Sequence, residues 1–196
     1  WLAADEVRGI FAWADRHDTL TGLLGRAAFV EEIHDRIQES DTPIGVLGVC
    51  DIDGLKAVNT AHGRQAGDEV LLWLGGLFED RLGEHGLAAR LTGDKLGFLL
   101  PKATLADAKT LAEDLRAELC AEVFLAADGT EFGVSACLIV AEQPEGAEDG
   151  QEWLGAANKG LERAAGGGAP VSVLTKRDAA SAFRLSDTLS VKDRFS

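Results

Sequence analysis

A chain of 196 residues with 46% hydrophobic content can bury one sizeable core, so a single domain with short appendages is expected. Its 33 acidic against 19 basic residues, a formal net charge of -14, repel nucleic-acid backbone, and no basic stripe interleaved with aromatics offsets that repulsion. No apolar run approaches the roughly 18–20 residues of a membrane span, and the start at Trp1 shows neither a signal peptide nor an initiating Met, so a cytoplasmic fragment of something longer is expected.

Cys50, Cys120 and Cys137 are widely spaced in apolar company, with no CxxC pair or histidine cluster nearby. They read as buried free thiols of a reducing compartment, neither a disulfide framework nor a metal site.

From Leu2 to Arg16, Ala3, Val7, Ile10 and Ala14 follow heptad spacing beside Phe11, which predicts a helix with one apolar stripe. Residues 1–17 are either a helix folded back on its own domain or a signalling linker that pairs two chains. DTLTGLLGR, Asp18 to Arg26, is turn-like and leads into a predicted helix over Ala27–Gln38. After the polar break at Glu39–Pro43 comes IGVLGVCDID, Ile44 to Asp53, a buried strand. Asp51 and Asp53, two residues apart, share one side of its end, a natural place for a metal.

Asp68–Arg81 carries Val70, Leu71, Leu74, Leu77 and Phe78 at helical spacing, and Gly67 reads as the break before it. Leu87–Arg90 and Leu96–Leu100 are short strands flanking Thr92, Gly93, Asp94 and Lys95, a hairpin pattern with Asp94 at its tip. Thr104–Glu122 is another amphipathic helix, and FGVSACLIV, Phe132 to Val140, is a strand reached through the turn residues Asp128 and Gly129. Trp153–Ala165 is a last helix that Gly166–Gly168 ends, and Pro170–Leu174 closes the sheet. The class implied is α+β, a mixed central sheet surrounded by helices. Thr175–Ser196 reads as a polar tail or a linker to another domain.

Four of these pieces, DTLTGLLGR, DIDGLKAVNTAHGRQAGDEVL, RLTGDKLGFLLP and GLERAAGGGAPVSV, stand in an order that resembles the GGDEF family of diguanylate cyclases over 18–174. The resemblance implies a nucleotidyl-cyclase-like fold in which two such domains, each holding one GTP, join the nucleotides into cyclic di-GMP with Mg²⁺. It places Asp51, the Ile52 carbonyl and Asp94 as metal ligands, consistent with the preference of hard Mg²⁺ for oxygen. It places Asn59 and Asp68 on the guanine edge, whose donors and acceptors an amide and a carboxylate together can read. Lys56 matches the phosphate-side lysine. Each has a plainer reading, Asn59 as a turn cap and Asp68 as the cap of the helix beginning there.

The departures bear on chemistry. Lys95 stands where the family has its second signature acid, and an ammonium cannot do that carboxylate's work in activating the attacking hydroxyl. Thr92 replaces a glycine whose bare backbone approaches the nucleotide, and Leu96 replaces the signature Phe. The family's phosphate-binding Lys and Arg fall on Ala165 and Ala169, and its RxxD inhibitory product site falls on Gly83 and Gly86. Gly25, Gly54, Leu55, Thr60 and Arg64 are smaller departures.

The expected function is therefore a catalytically inactive GGDEF-like regulatory domain of a bacterial cyclic-di-GMP signalling protein. It would act by protein interaction or by coupling to adjacent sensory and output domains, such as an EAL-type phosphodiesterase. Two alternatives stay open: a GTP-binding sensor without turnover, and a residual cyclase making cyclic di-GMP from two GTP. Mg²⁺ is expected only with bound GTP, and the N-terminal helix is a candidate homodimer contact.

Overall fold

The computed structural model describes residues 13–167 and 169–178, with residues 85 and 165–167 described by backbone alone. The helix expected over Leu2–Arg16 falls largely outside these residues, though 13–16 form a helical turn, and most of the expected tail, 179–196, also lies outside them.

The elements in chain order are β1 (Leu24–Gly25), α1 (Arg26–Gln38), β2 (Gly45–Asp53), α2 (Leu55–His62), α3 (Arg64–Leu82), a 3₁₀ turn (Gly83–His85), β3 (Leu87–Thr92) and β4 (Lys95–Pro101). They continue with α4 (Leu105–Ala121), β5 (Phe124–Leu125), β6 (Glu131–Phe132), β7 (Ser135–Glu142), α5 (Gly150–Gly167) and β8 (Val171–Leu174). The main sheet has the order β1-β3-β4-β2-β7-β8. Its inner pairs are antiparallel and its outer pairs, β1 with β3 and β7 with β8, are parallel. This is the mixed sheet packed with helices that the α+β reading implied.

Strand alternation divides β2 between two cores. Val46, Cys50 and Ile52 face α3 and α4, whose Val70, Leu74, Phe78, Leu115 and Leu119 bury the first face of the sheet. Leu47 and Val49 face α1 and α5, where Phe29, Ile33, Trp153 and Leu154 bury the second. Gly48 lies in the middle of β2 because a Cβ there would fall 2.0 Å from the Phe98 ring across the ladder. Phe98 in turn packs edge-on against Phe78 at 5.6 Å. The α4 N-terminus carries a capping box, in which the Thr104 side chain accepts from Asp107 N–H and the Asp107 side chain accepts from Thr104 N–H.

Three expectations change. Gly67 does not break the chain: α3 runs through it from Arg64, because Gly67 is a contact residue whose missing Cβ leaves room for Asn59. The strand expected over Phe132–Val140 divides at Gly133 and Val134 into β6 and β7. Phe132 is drawn into a two-stranded local sheet with β5, its ring stacked between Phe124 at 5.6 Å and His62 at 4.8 Å. The cysteines are all free, but only Cys50 is fully buried, Cys137 is half-buried, and Cys120 is exposed on the polar side of α4.

Candidate functional site

The site begins where β2 ends. Gly54 has φ +70°, a left-handed conformation that lets the chain leave Asp53 and start α2 at once. On the neighbouring strand, β3 and β4 form a hairpin with Thr92 opposite Lys95 and with Gly93 and Asp94 at the tip. The Ile52 amide donates to the Asp94 carbonyl at 3.0 Å, which fixes the hairpin tip to the end of β2.

A second tether holds the same hairpin from behind. The Arg90 guanidinium donates to both Asp18 carboxylate oxygens, at 3.1 and 3.3 Å, and to the Gly93 carbonyl at 3.0 Å. Asp18 also accepts from the Thr21 amide and hydroxyl, each at 2.9 Å. Partial burial alone would push the Asp18 carboxyl up, but the Thr21 hydrogen bonds and the Arg90 charge outweigh it and hold the group below its ordinary range. The Asp18–Arg90 pair spans 72 positions, so nothing local in the sequence joins them.

Lys95 stands directly across the ladder from Asp51, and its Nζ lies 3.5 Å from Asp51 Oδ2. The side chains of the pair are 23% and 33% exposed, so water screens them only in part. The Asp51 carboxyl is nevertheless pushed up: burial acts most strongly, Lys95 opposes it, and Asp94 and Asp53 add repulsion. One ammonium thus offsets only part of what burial and two further carboxylates impose.

Beside this cluster, α2, α3 and the hairpin enclose a cleft of about 260 Å³ walled by Lys56, Asn59, Arg64, Asp68, Arg90 and Asp94. Asn59 is in the second turn of α2 and Asp68 in the second turn of α3, so Asp68 is not the cap of its helix; Gly63 holds that position. Asn59 Oδ1 is buried without a hydrogen-bond partner among the described residues. Such an acceptor is costly unless something donates to it. Lys56 and Arg64 are exposed on the rim.

The fold therefore brings Lys56, Asn59, Asp68 and Asp94 to one cleft, with Asp51 and Ile52 joined to it through Asp94. Among the described residues no group of three or more His, Cys, Asp or Glu converges as a metal cage. Ala169 is exposed between α5 and β8, and the Ala165 side chain lies outside the described residues. Gly83 opens the 3₁₀ turn and Gly86 follows it, and neither offers a side chain for a product site. Two contributors were not singled out as functional from the sequence, Arg90 with its Asp18 anchor, and Arg64, which enters only as a departure from the family's histidine. The signal for Arg64 was its helical spacing from Asp68, which sets both on one face of α3.

The sheet order, the β2 terminus and the hairpin define a class. Residues 15–169 match the family described as diguanylate cyclase, GGDEF domain, and the chain belongs to that family. It is 37% identical over 106 residues to diguanylate cyclase DgcP of Pseudomonas aeruginosa, a match covering 53% of this chain and 16% of that protein. The structure is similar to the coiled-coil and GGDEF domain of DgcB from Caulobacter crescentus, solved with c-di-GMP, with a TM-score of 0.77 at 24% identity over 87% of this chain and 92% of that one. It is also similar to the GGDEF domain of YfiN from Pseudomonas aeruginosa, with a TM-score of 0.73 at 28% identity over 87% of this chain and 99% of that one. The chain thus matches a small part of the length of its curated relative and nearly the whole of an isolated GGDEF domain.

Proposed function

We propose that this chain is a catalytically inactive GGDEF domain that regulates neighbouring domains of a bacterial cyclic-di-GMP signalling protein. The observation that carries the reading is the Lys95 ammonium 3.5 Å from Asp51, at the position where the family has a carboxylate. Removing a proton from the attacking hydroxyl needs a base, and a charged ammonium is none at neutral pH. Binding Mg²⁺ needs oxygen donors, and Asp51, the first of them, is already engaged by a cation. The donor set of this chain does not fit a divalent ion without displacing Lys95. Incubation of the protein with GTP and either Mg²⁺ or Mn²⁺, followed by chromatography, is expected to yield no cyclic di-GMP; accumulation of that product overturns the reading.

A second reading, that the domain binds GTP without turnover, is favoured by one specific feature. Asn59 Oδ1 is a buried acceptor without a donor among the described residues, beside the Asp68 carboxylate in the same cleft. A guanine edge supplies donors to both groups. Calorimetric titration with GTP is expected to give saturable heat that Asn59→Ala abolishes; no heat at millimolar GTP leaves protein interaction as the domain's role.

A further inference from the structure

We propose that Lys95 is a tethered cation in the place of the divalent metal, so that this cleft takes the unchelated guanine nucleotide, triphosphate and all, without metal. The inference rests on the reading that the domain binds GTP. It starts from geometry: Lys95 Nζ is 3.5 Å from Asp51 Oδ2, and a magnesium ion bound to that oxygen would sit about 2.1 Å from it, so ammonium and dication would be at most about 5.6 Å apart. Between partly buried groups at that separation, two like-signed cations repel strongly. The occupant already present is the covalently attached one.

A second, independent observation points the same way. Protein contacts tie the hairpin tip to the end of β2, through Ile52 N–H to the Asp94 carbonyl and through Arg90 to the Gly93 carbonyl and Asp18. An ion is not required to join the β2 end to the signature loop. The charge balance is also altered: Asp51, Asp53, Asp94 and Lys95 together carry two net negative charges, where a carboxylate at position 95 would make four. Without that excess of negative charge, the pull on a dication is weaker and the repulsion of phosphate is reduced.

The remaining cations fit an unchelated triphosphate. Lys56 and Arg64 line the cleft with exposed side chains and make no ion pair with a described residue. Arg64 opens α3 where the family pattern has a histidine, and its guanidinium offers a planar fork for phosphate oxygens. Free GTP carries two more negative charges than its magnesium complex. Lys95, Lys56 and Arg64 are the groups of this chain placed to meet them, the first at the metal position and the others on the rim.

The test is calorimetric titration of GTP into the whole chain, once in EDTA and once in excess Mg²⁺, for the wild type, Lys95→Gln and Lys95→Glu, with circular dichroism confirming that each variant is folded. The wild type is expected to bind GTP in EDTA at least as tightly as in excess Mg²⁺, where chelation depletes the free nucleotide, while Lys95→Gln loses about tenfold or more in EDTA, the size of one charged hydrogen bond. Lys95→Glu is expected to bind only with Mg²⁺. Wild-type binding that appears only with Mg²⁺ overturns the inference and leaves GTP binding intact. Unchanged EDTA binding in Lys95→Gln overturns the role of Lys95. Absence of heat in both buffers overturns the inference together with the GTP-binding reading on which it stands. If Lys95→Glu does not fold, Lys95→Gln decides.

Discussion

A Cβ placed on Gly67 would lie 2.0 Å from Asn59 Oδ1 and 2.9 Å from Asn59 Cγ. Helix α3 therefore approaches α2 at the Asn59 amide, the group proposed to meet guanine, and the glycine is what leaves that amide in place. The atoms in conflict are the far end of a side chain with two free torsions, so they can swing away at little structural cost. Gly67→Ala should change unfolding free energy by no more than about 1 kcal/mol, because the gain in helix propensity offsets the local rearrangement. It should weaken GTP binding about tenfold or more. Denaturant unfolding and calorimetry on the same preparation separate the two effects; a variant that binds GTP like the wild type removes Asn59 from the site.

The Asp18–Arg90 pair makes a signed prediction about pH. The Asp18 carboxyl is held below its ordinary value of 3.8, so its contribution to stability is present above that pH and disappears as the pH falls through its folded-state value. Thermal melts of wild type and Asp18→Asn should differ by several degrees at pH 7, and the gap should close below about pH 3.8. A gap that stays constant across the acid range shows that the pair does not anchor the hairpin.

Asp51 should behave in the opposite sense. Its carboxyl is pushed above 3.8, chiefly by burial, so the stability associated with it is complete below that pH and is lost as the pH rises through the folded-state value. The melting temperature of the wild type minus that of Asp51→Asn should therefore fall as the pH is raised from 3 toward neutrality, with about 1 to 3 °C as the expected scale for a partly exposed group. A difference that rises over the same interval means that Lys95 outweighs burial and the neighbouring carboxylates.

If the domain is inactive as proposed, restoring the family's residues tests which substitutions block turnover. Lys95→Glu alone should yield no cyclic di-GMP, because the phosphate cations replaced by Ala165 and Ala169 remain absent, and each charged contact contributes about 1.5 to 3 kcal/mol. Lys95→Glu combined with Ala165→Lys and Ala169→Arg is the variant expected to regain product, measured by chromatography after incubation with GTP and Mn²⁺. Product from the single variant assigns the block to Lys95 alone.

How much was legible in the sequence follows the range of the forces involved. The β2 strand, the hairpin at Thr92–Lys95 and the helix after Thr104 were legible because a short apolar run, turn residues and amphipathic spacing act within a few residues. The cleft residues Lys56, Asn59, Asp68 and Asp94 were legible from the ordered motifs. Gly67 read as a break because a glycine kept for close packing and one kept for chain reversal are identical letters. The division at Gly133–Val134 depended on Phe132 finding His62 and Phe124, and the Asp18–Arg90 tether depended on a contact across 72 positions. The Lys95–Asp51 ion pair required the β2–β4 register, which places the substituted residue opposite the acid it compensates.

Cyclic di-GMP production by the unmodified chain is the most direct measurement of all. With GTP and saturating Mg²⁺ or Mn²⁺, assayed beside an active diguanylate cyclase under the same conditions, the wild type should form none above the protein-free control. Steady accumulation of the dinucleotide, abolished by Asp94→Ala, would contradict the silent-domain assignment and show that Lys95 is compatible with turnover.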